Sequence, residues 1–416
     1  MVRQDGDVAA AFARAAKRVT ATYHVPYISH APMEPPCAFA HVDGDKARVI
    51  AALQQPSGAA AQLRNLGVPT QNLTVEMTRV GGGFGRRLTN DFVAEAAMLS
   101  KAIGGPVKLM WTREDDLAHD FYRPTGWHEL SAGLDADGRI TGWTHRLASA
   151  SKYYRRADVK PEDLWTAELY PDDFPARLVP DMALEWLELK SGAPRGSWRA
   201  PAHTANAFAV QSFLDELAHA AGKDPLAFRL ALLEPARRLD YGQHGGAHFD
   251  TGRLAGVLKL AAEKIGWGRS VGRGRGLGLA CHFTFGGYAA HAMEVEVDGA
   301  AVRIHRCVCA VDVGQPVNPL GIEAQMMGGT IDGISTAMNL AITVDGGQIV
   351  QRNFNDYPLL TSAEAPDVEV HIVRSTEPPS GAGEMGIPTA APALANALFA
   401  ASGKRLRSQP FRSRLS

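Results

Sequence analysis

Apolar and polar positions alternate with two different periods along this chain, and the switches between them lay out its elements. Val8 to Val19 (VAAAFARAAKRV) carries the ~3.6-residue period of an alanine-rich amphipathic helix. Thr22 to Ile28 then reads as a short strand, followed by Ser-His-Ala-Pro-Met-Glu-Pro-Pro-Cys, where Pro32, Pro35 and Pro36 exclude a helix and predict a rigid extended crossing. Lys46 to Leu53 predicts a strand, Ala59 to Leu66 a helix, and Leu73 to Val80 a strand that delivers Gly81-Gly82-Gly83-Phe84-Gly85-Arg86-Arg87. Thr89 or Asn90 caps the next helix, with Phe92, Ala96, Leu99 and Ile103 on one face and Gly104-Gly105 as its stop. Pro106 to Thr112 predicts another strand, so this stretch is a mixed α/β unit.

Trp127 to Ser149 predicts a hairpin turning at Asp135-Ala136-Asp137-Gly138. Residues 151–185 lose all periodicity and predict a long irregular excursion, a feature that often shapes substrate access in enzymes. Helices are expected from Thr204 to Ala221 and after Asp224-Pro225, where a cap precedes a first-turn proline. A composition shift at Gly242 to Gly252, with the basic glycine run from Gly268 to Gly276, predicts a domain seam, giving domains 1–241 and 242–416. The basic run fits a solvated linker or a phosphate contact. Beyond it the pattern predicts a hairpin (Met293–Val297 into Ala301–Val313) and a helix after Asn318-Pro319 with Gly328, Gly329 and Gly333 near one face. A second hairpin turns at Asp345-Gly346-Gly347, and Val368 to Val373 is a strand. A loop from Pro378 to Gly386 and a final helix from about Pro392 to Ala401 close the chain.

Composition narrows the function classes. The 416 residues carry 43 basic and 44 acidic side chains, a net charge of −1, which argues against a nucleic-acid or anionic-membrane partner. Four cysteines (Cys37, Cys281, Cys307, Cys309) are too few and too scattered for a disulfide framework or for an iron–sulfur cluster. None of the 14 histidines has metal-ligand spacing, and no Gly-x-Ser-x-Gly marks a serine nucleophile. No stretch approaches the ~18–20 apolar residues of a membrane span, and the first residues lack an export pattern.

Two loops invite chemistry. Gly81 to Arg87 places four glycines in five positions ahead of two cations, and fits either an anion cradle at a helix N-terminus or a plain tight turn. Glu384 stands between glycines in an apolar stretch. It fits a general base whose carboxyl is raised by desolvation, or a surface acid in a glycine turn. His30 and Glu34 could face one site, or simply decorate a proline loop.

Taken in order, G-G-G-F-G-R-R at 81–87, P-V-K-L-M-W-T-R-E-D-D at 106–116 and H-D-F-Y-R-P at 119–124 resemble the large subunit of molybdenum hydroxylases. So do H-A-P-M-E-P at 30–35, R-G-S-W-R-A-P at 195–201, the Gln325 helix and G-A-G-E at 381–384. Within the xanthine dehydrogenase and aldehyde oxidase superfamily, the isoquinoline oxidoreductase type and related bacterial aldehyde dehydrogenases are the most similar. The resemblance implies an α+β fold of mixed α/β molybdopterin-binding domains in two subdomains. It implies that Gly82, Gly83, Phe84, Gly85, Arg86, Arg199, Gln325 and Gly383 hold a molybdenum–molybdopterin cofactor, in its cytosine dinucleotide form. The metal is held by the pterin dithiolene, with no side-chain ligand.

Glu384 is then the catalytic base. By that resemblance it would deprotonate the metal's hydroxyl ligand, whose oxygen would attack an electron-poor carbon of an N-heterocycle or aldehyde while hydride passed to the metal's sulfido group. Electrons leave through iron–sulfur clusters of a small partner subunit, with a cytochrome as a further acceptor. Leu88 stands where xanthine-converting members carry a substrate-binding glutamate, so purines are not expected. A Gly-Gln-Gly pterin loop expected earlier in such subunits has no counterpart here, which implies a partner chain carrying the N-terminal half. A non-catalytic assembly subunit is the alternative reading. The compartment, cytoplasmic or periplasmic within a complex, is left open.

Overall fold

The computed structural model describes residues 1–242 and 248–415; part of the expected seam at Gly242 to Gly252 lies outside the described residues. Three sheets organise the chain. The first has five strands in the order Arg3–Asp5, Asp181–Glu188, Ile140–Ser149, Gly126–Leu134 and Lys17–Val25. The second, with four, orders Leu73–Met77, Lys46–Ala51, Cys37–Asp43 and Val107–Met110. A third orders Arg275–Thr284, Gly287–Asp298, Ala301–Asp312 and Val368–Ile372, the last pairing parallel to its neighbour.

The helix His203–Ala220 touches both the first and the third sheet. It is buried nearly all round, as its run of Phe208, Phe213, Leu214 and Leu217 demands. Phe208 meets Tyr23 edge-on, and Phe213 meets Trp143. One hydrophobic core therefore runs from Ala21 to Leu415 and crosses the expected boundary at residue 241. The second sheet has its own smaller core, built from Ala38, Val49, Leu63, Phe92 and Trp111 among others.

Several expectations are corrected. The first helix ends at Arg14, and the strand after it begins at Lys17 instead of Thr22, because Lys17–Val25 pairs along its whole length with Gly126–Leu134. The helix Asp91–Ile103 buries Phe92, Val93, Ala96, Ala97 and Ser100, while Leu99 and Ile103 are 43% and 69% exposed. Its buried stripe is rotated toward Ser100, whose hydroxyl accepts the Val42 N–H at 2.9 Å and donates to Gly105 O at 2.7 Å. Asn90 is the N-cap residue of this helix, as expected, although its side chain makes no capping hydrogen bond. The expected strand Pro106 to Thr112 is shorter, Val107–Met110, and is followed by the helix Arg113–Ala118, opened by a Thr112–Asp115 capping box. The excursion holds a 3₁₀ stretch, Pro161–Ala167, and ends in the strand Asp181–Glu188.

The strand Arg275–Thr284 was hidden under the basic glycine run. Gly276 and Gly278 let the final helix, Ala390–Ser402, lie directly on it: a Cβ at Gly278 would stand 2.1 Å from Ala397 N. Arg269 and Arg275 of that run pair with Glu294, so these two cations are structural.

Candidate active site

Glycine in the Gly81–Arg87 loop serves close packing more than anion binding. The Gly81 N–H donates to Glu34 Oε2 at 2.6 Å, and those of Gly85 and Arg87 share Gln54 Oε1 at 3.1 and 3.2 Å. These backbone donors are thus engaged within the protein, which favours the tight-turn reading at Gly81, Gly85 and Arg87. Gly85 has φ +114°, and a Cβ there would meet Ser197 O at 1.7 Å. That carbonyl also accepts from His30 Nε2 at 2.8 Å, while His30 Nδ1 lies 2.9 Å from Asp120 Oδ1. The Arg199 N–H donates to Phe84 O at 2.9 Å. The glycine loop and the Arg195–Pro201 loop are therefore zipped backbone to backbone, and His30 of the proline crossing pins the seam.

Arg86 is not brought to the cavity. Burial and two carboxylates hold it behind the loop, with Asp91 at 2.8 and 2.9 Å and Asp120 at 3.3 Å. Arg87 is also fully buried, donating to the carbonyls of Gly82, Ala52 and Glu34. Two adjacent cations in a loop suggest a phosphate contact; the acids that claim Arg86 sit on the next helix and at Asp120, which spacing does not reveal.

Arg199 ties three distant segments together. Its guanidinium donates to Gly383 O at 2.8 Å, Asp332 Oδ2 at 2.8 Å, Gln325 O at 3.0 Å and Gln325 Oε1 at 2.9 Å. This planar fork holds the helix Pro319–Asn339 and the Glu384 loop against the arginine loop. Close approach explains two of the helix glycines: a Cβ on Gly329 would be 3.1 Å from Gly386 C, and one on Gly333 2.7 Å from Ala390 Cβ, whereas Gly328 is exposed with only Arg199 Nη1 at 4.0 Å.

Glu384 Oε2 accepts from the Ala200 N–H in a short hydrogen bond. Burial raises its carboxyl above the usual carboxylate range, opposed by that N–H and by the Arg199 charge. Ala200 has φ +51°, and Phe84, Ala202, Phe285 and Ala31 also hold positive φ without being glycine. Phe84 and Phe285 line cavities that reach Glu384, and Ala200 holds its carboxylate, so backbone strain concentrates here.

Two cavities meet at Glu384. One, of about 330 Å³, is lined by Gly82, Gly83, Phe84, Gly85, Arg199, Gln325, Gly383 and Glu384, uniting every expected site residue except Arg86. Leu88 lines it too, as do Gln54, Ser197, Trp198 and Pro201, which the sequence reading missed. Gln54 carries no local signal, because only the fold shows that its amide oxygen holds the glycine loop. The other cavity, of about 540 Å³, presents Phe285, Tyr288, Pro378 and Pro379 beside Glu384. Its cations are engaged, Arg238 with Asp250 and Glu377 and Arg253 with Asp312.

Comparison with known proteins places this geometry. Residues 1–232 and 258–366 each match a molybdopterin cofactor-binding domain. The chain is 32% identical to the beta chain of isoquinoline 1-oxidoreductase from Brevundimonas diminuta, over 94% of this chain and 49% of that protein. It is 32% identical to a membrane-bound aldehyde dehydrogenase of Gluconacetobacter polyoxogenes, over 98% of this chain and 55% of that one. The chain thus spans about half the length of these relatives. Among solved structures, quinoline 2-oxidoreductase from Pseudomonas putida 86 superposes with a TM-score of 0.83 at 16% identity, covering 99% of this chain and 77% of that one. The first domain match alone takes in more than half of the residues, and the protein belongs to the molybdopterin cofactor-binding family, as a chain of the molybdenum hydroxylase large-subunit type.

Proposed function

We propose that this chain positions a molybdenum–molybdopterin cofactor and supplies the catalytic base for oxidising an N-heterocycle or an aldehyde, with water as the oxygen source. The observation that carries this reading is Glu384, a carboxylate of raised proton affinity standing where the two cavities meet. The 330 Å³ cavity fits the metal-bearing end of the cofactor. Gly82, Gly83 and Gly85 keep its wall free of side chains, and Arg199 and Gln325 border it. The phosphate end is not met there, since Arg86 and Arg87 are withdrawn and Arg199 is already paired with Asp332. The cytosine dinucleotide form therefore calls for partners outside these lining residues.

When bound, the cofactor supplies the redox centre that takes up the two electrons leaving the substrate carbon. The chain's own residues do the rest. The Ala200 N–H fixes Glu384 Oε2, which leaves Oε1 to take the proton from the water-derived nucleophile. Phe285, Pro378 and Pro379 offer apolar surface for an electron-poor ring or an aldehyde. Overall, water adds oxygen to the carbon while two protons and two electrons leave, and the electrons pass to a separate iron–sulfur subunit. Several relatives are named as single subunits of larger enzymes, a nicotinate dehydrogenase of Pseudomonas putida among them, which supports a multi-chain assembly.

The test is Glu384→Gln in the assembled complex, assayed with a panel of heterocycles set against aldehydes. Molybdenum content should be unchanged and kcat should fall about 100- to 10,000-fold, the span a general base contributes. Turnover within tenfold of the parent would remove Glu384 from this role. Failure of the parent complex on every substrate would favour the assembly-subunit alternative.

A further inference from the structure

At the start of the helix that follows the arginine loop, three potential ligands converge from distant parts of the chain. Asp173 comes from the long excursion, His203 opens the central helix, and His282 lies in the strand Arg275–Thr284. One ligand atom from each lies within 4.8 Å of the other two. His203 Nδ1 is 2.9 Å from His282 Nε2 and 3.6 Å from Asp173 Oδ2. All three side chains are buried, His203 completely.

We propose that Asp173, His203 and His282 form a binding site for a zinc-type divalent transition metal, distinct from the molybdenum cofactor. Two imidazoles and one carboxylate are the donor set of three-ligand metal centres with an open position. A four-coordinate zinc with Zn–N distances of about 2.0–2.1 Å keeps its ligand atoms about 3.3 Å apart; the 2.9 and 3.6 Å separations from His203 Nδ1 bracket that value, and a shift of the Asp173 and His282 side chains would bring their own separation, within 4.8 Å, to it. Asp173 Oδ2 has no hydrogen-bond partner among the described residues, while Tyr241 Oη donates to its Oδ1 at 2.7 Å. That is how an outer group orients a ligating carboxylate and leaves its other oxygen for the metal. A small cavity of about 10 Å³, lined by Asp173, His282 and His145, gives room for a water-sized fourth ligand.

Such an ion would fasten the excursion, the arginine loop and the third sheet to one another. His203 follows Ala200, whose N–H holds Glu384, by only three residues. The metal thus has a structural role beside the active site, and no reaction step is assigned to it.

Cobalt(II) is a suitable probe, because a tetrahedral site of this type gives intense visible d–d bands while molybdenum chemistry plays no part in the reading. The purified chain, stripped with a chelator and dialysed, should develop these bands on cobalt titration, saturating at one equivalent. Zinc should abolish the bands by competition, and should raise the midpoint of thermal unfolding of the stripped chain. His282→Gln and Asp173→Asn, each confirmed folded by circular dichroism, should weaken cobalt binding at least 100-fold. Absence of the bands at millimolar cobalt in the parent, or unchanged binding in both variants, would overturn the site and leave a hydrogen-bonded cluster. Neither result bears on Glu384 or molybdenum content, so this inference and the proposed function fail separately.

Discussion

Gly85 shows how one residue type was readable while its reason was not. A glycine cluster before a helix signals close approach, but not of what; the structure answers with the Ser197 carbonyl, 1.7 Å from where a Cβ would stand. Gly85→Ala must therefore move the arginine loop and also strain a backbone at φ +114°. The expected cost is about 2–5 kcal/mol by adding overpacking and strain, read as a lowered thermal midpoint. Because the Ala200 N–H rides on the displaced loop, the pH profile should shift as well. In the parent, kcat/KM should rise with pH as the Glu384 carboxyl ionises, with the acid limb above the ordinary carboxylate value of about 4.3. Burial is the dominant cause, opposed by the Ala200 hydrogen bond, so loosening that bond moves the acid limb to still higher pH. An unshifted limb in Gly85→Ala would show that the loops are not coupled. Glu384 itself was legible as a residue between glycines. Arg86 misled, because a cation's availability depends on acids that the fold delivers from elsewhere.

Elements were most legible where local chemistry decides them. The hairpin turning at Asp135–Gly138 and the helix started by Asp224-Pro225 follow from turn residues and caps, and both stand as read. The strand Arg275–Thr284 was lost because Gly276 and Gly278 look like linker residues, although they are small only to admit the helix Ala390–Ser402. Leu99 and Ile103 misled in the opposite sense: they fit a helical stripe yet face outward, while Ser100 is buried to satisfy the Val42 N–H. Tertiary partners, not periodicity, settled both elements. A paired test at this scale is Gly278→Ala against Gly105→Ala. The first drives a methyl into Ala397 N and Ala393 O, at 2.1 and 2.4 Å, and should destabilise by about 3 kcal/mol or more in denaturant titration. The second meets nothing within 4 Å and should stay within about 0.5 kcal/mol of the parent. Equal effects would contradict the packing assigned to the final helix.

At the scale of the whole molecule, the site looks like one wall of a larger one. Leu88, which lines the cavity, is 42% exposed, and Leu320 and Met327 on the Gln325 helix are exposed too. Met98, Leu99 and Ile103 form a further exposed apolar set on the helix Asp91–Ile103, with Met110 exposed on a strand it packs against. Apolar surface around a site is normally covered by a partner. Charge leads to the same conclusion. A pterin phosphate carries between one and two negative charges near neutral pH. Of the cations closest in sequence to the cavity, Arg86 pairs with Asp91 and Asp120, and Arg199 with Asp332. With 43 basic against 44 acidic residues, the chain as a whole adds no long-range attraction. The isolated chain should therefore bind molybdenum cofactor weakly and purify with well under one molybdenum per chain. Supplying the remaining half of the relatives' length, on the same chain or on a second one, should raise the content to one and bring substrate oxidation with it. Metal analysis of both preparations decides the matter: stoichiometric molybdenum and turnover with an artificial acceptor in the chain alone would show that the phosphate charge is met within these residues after all.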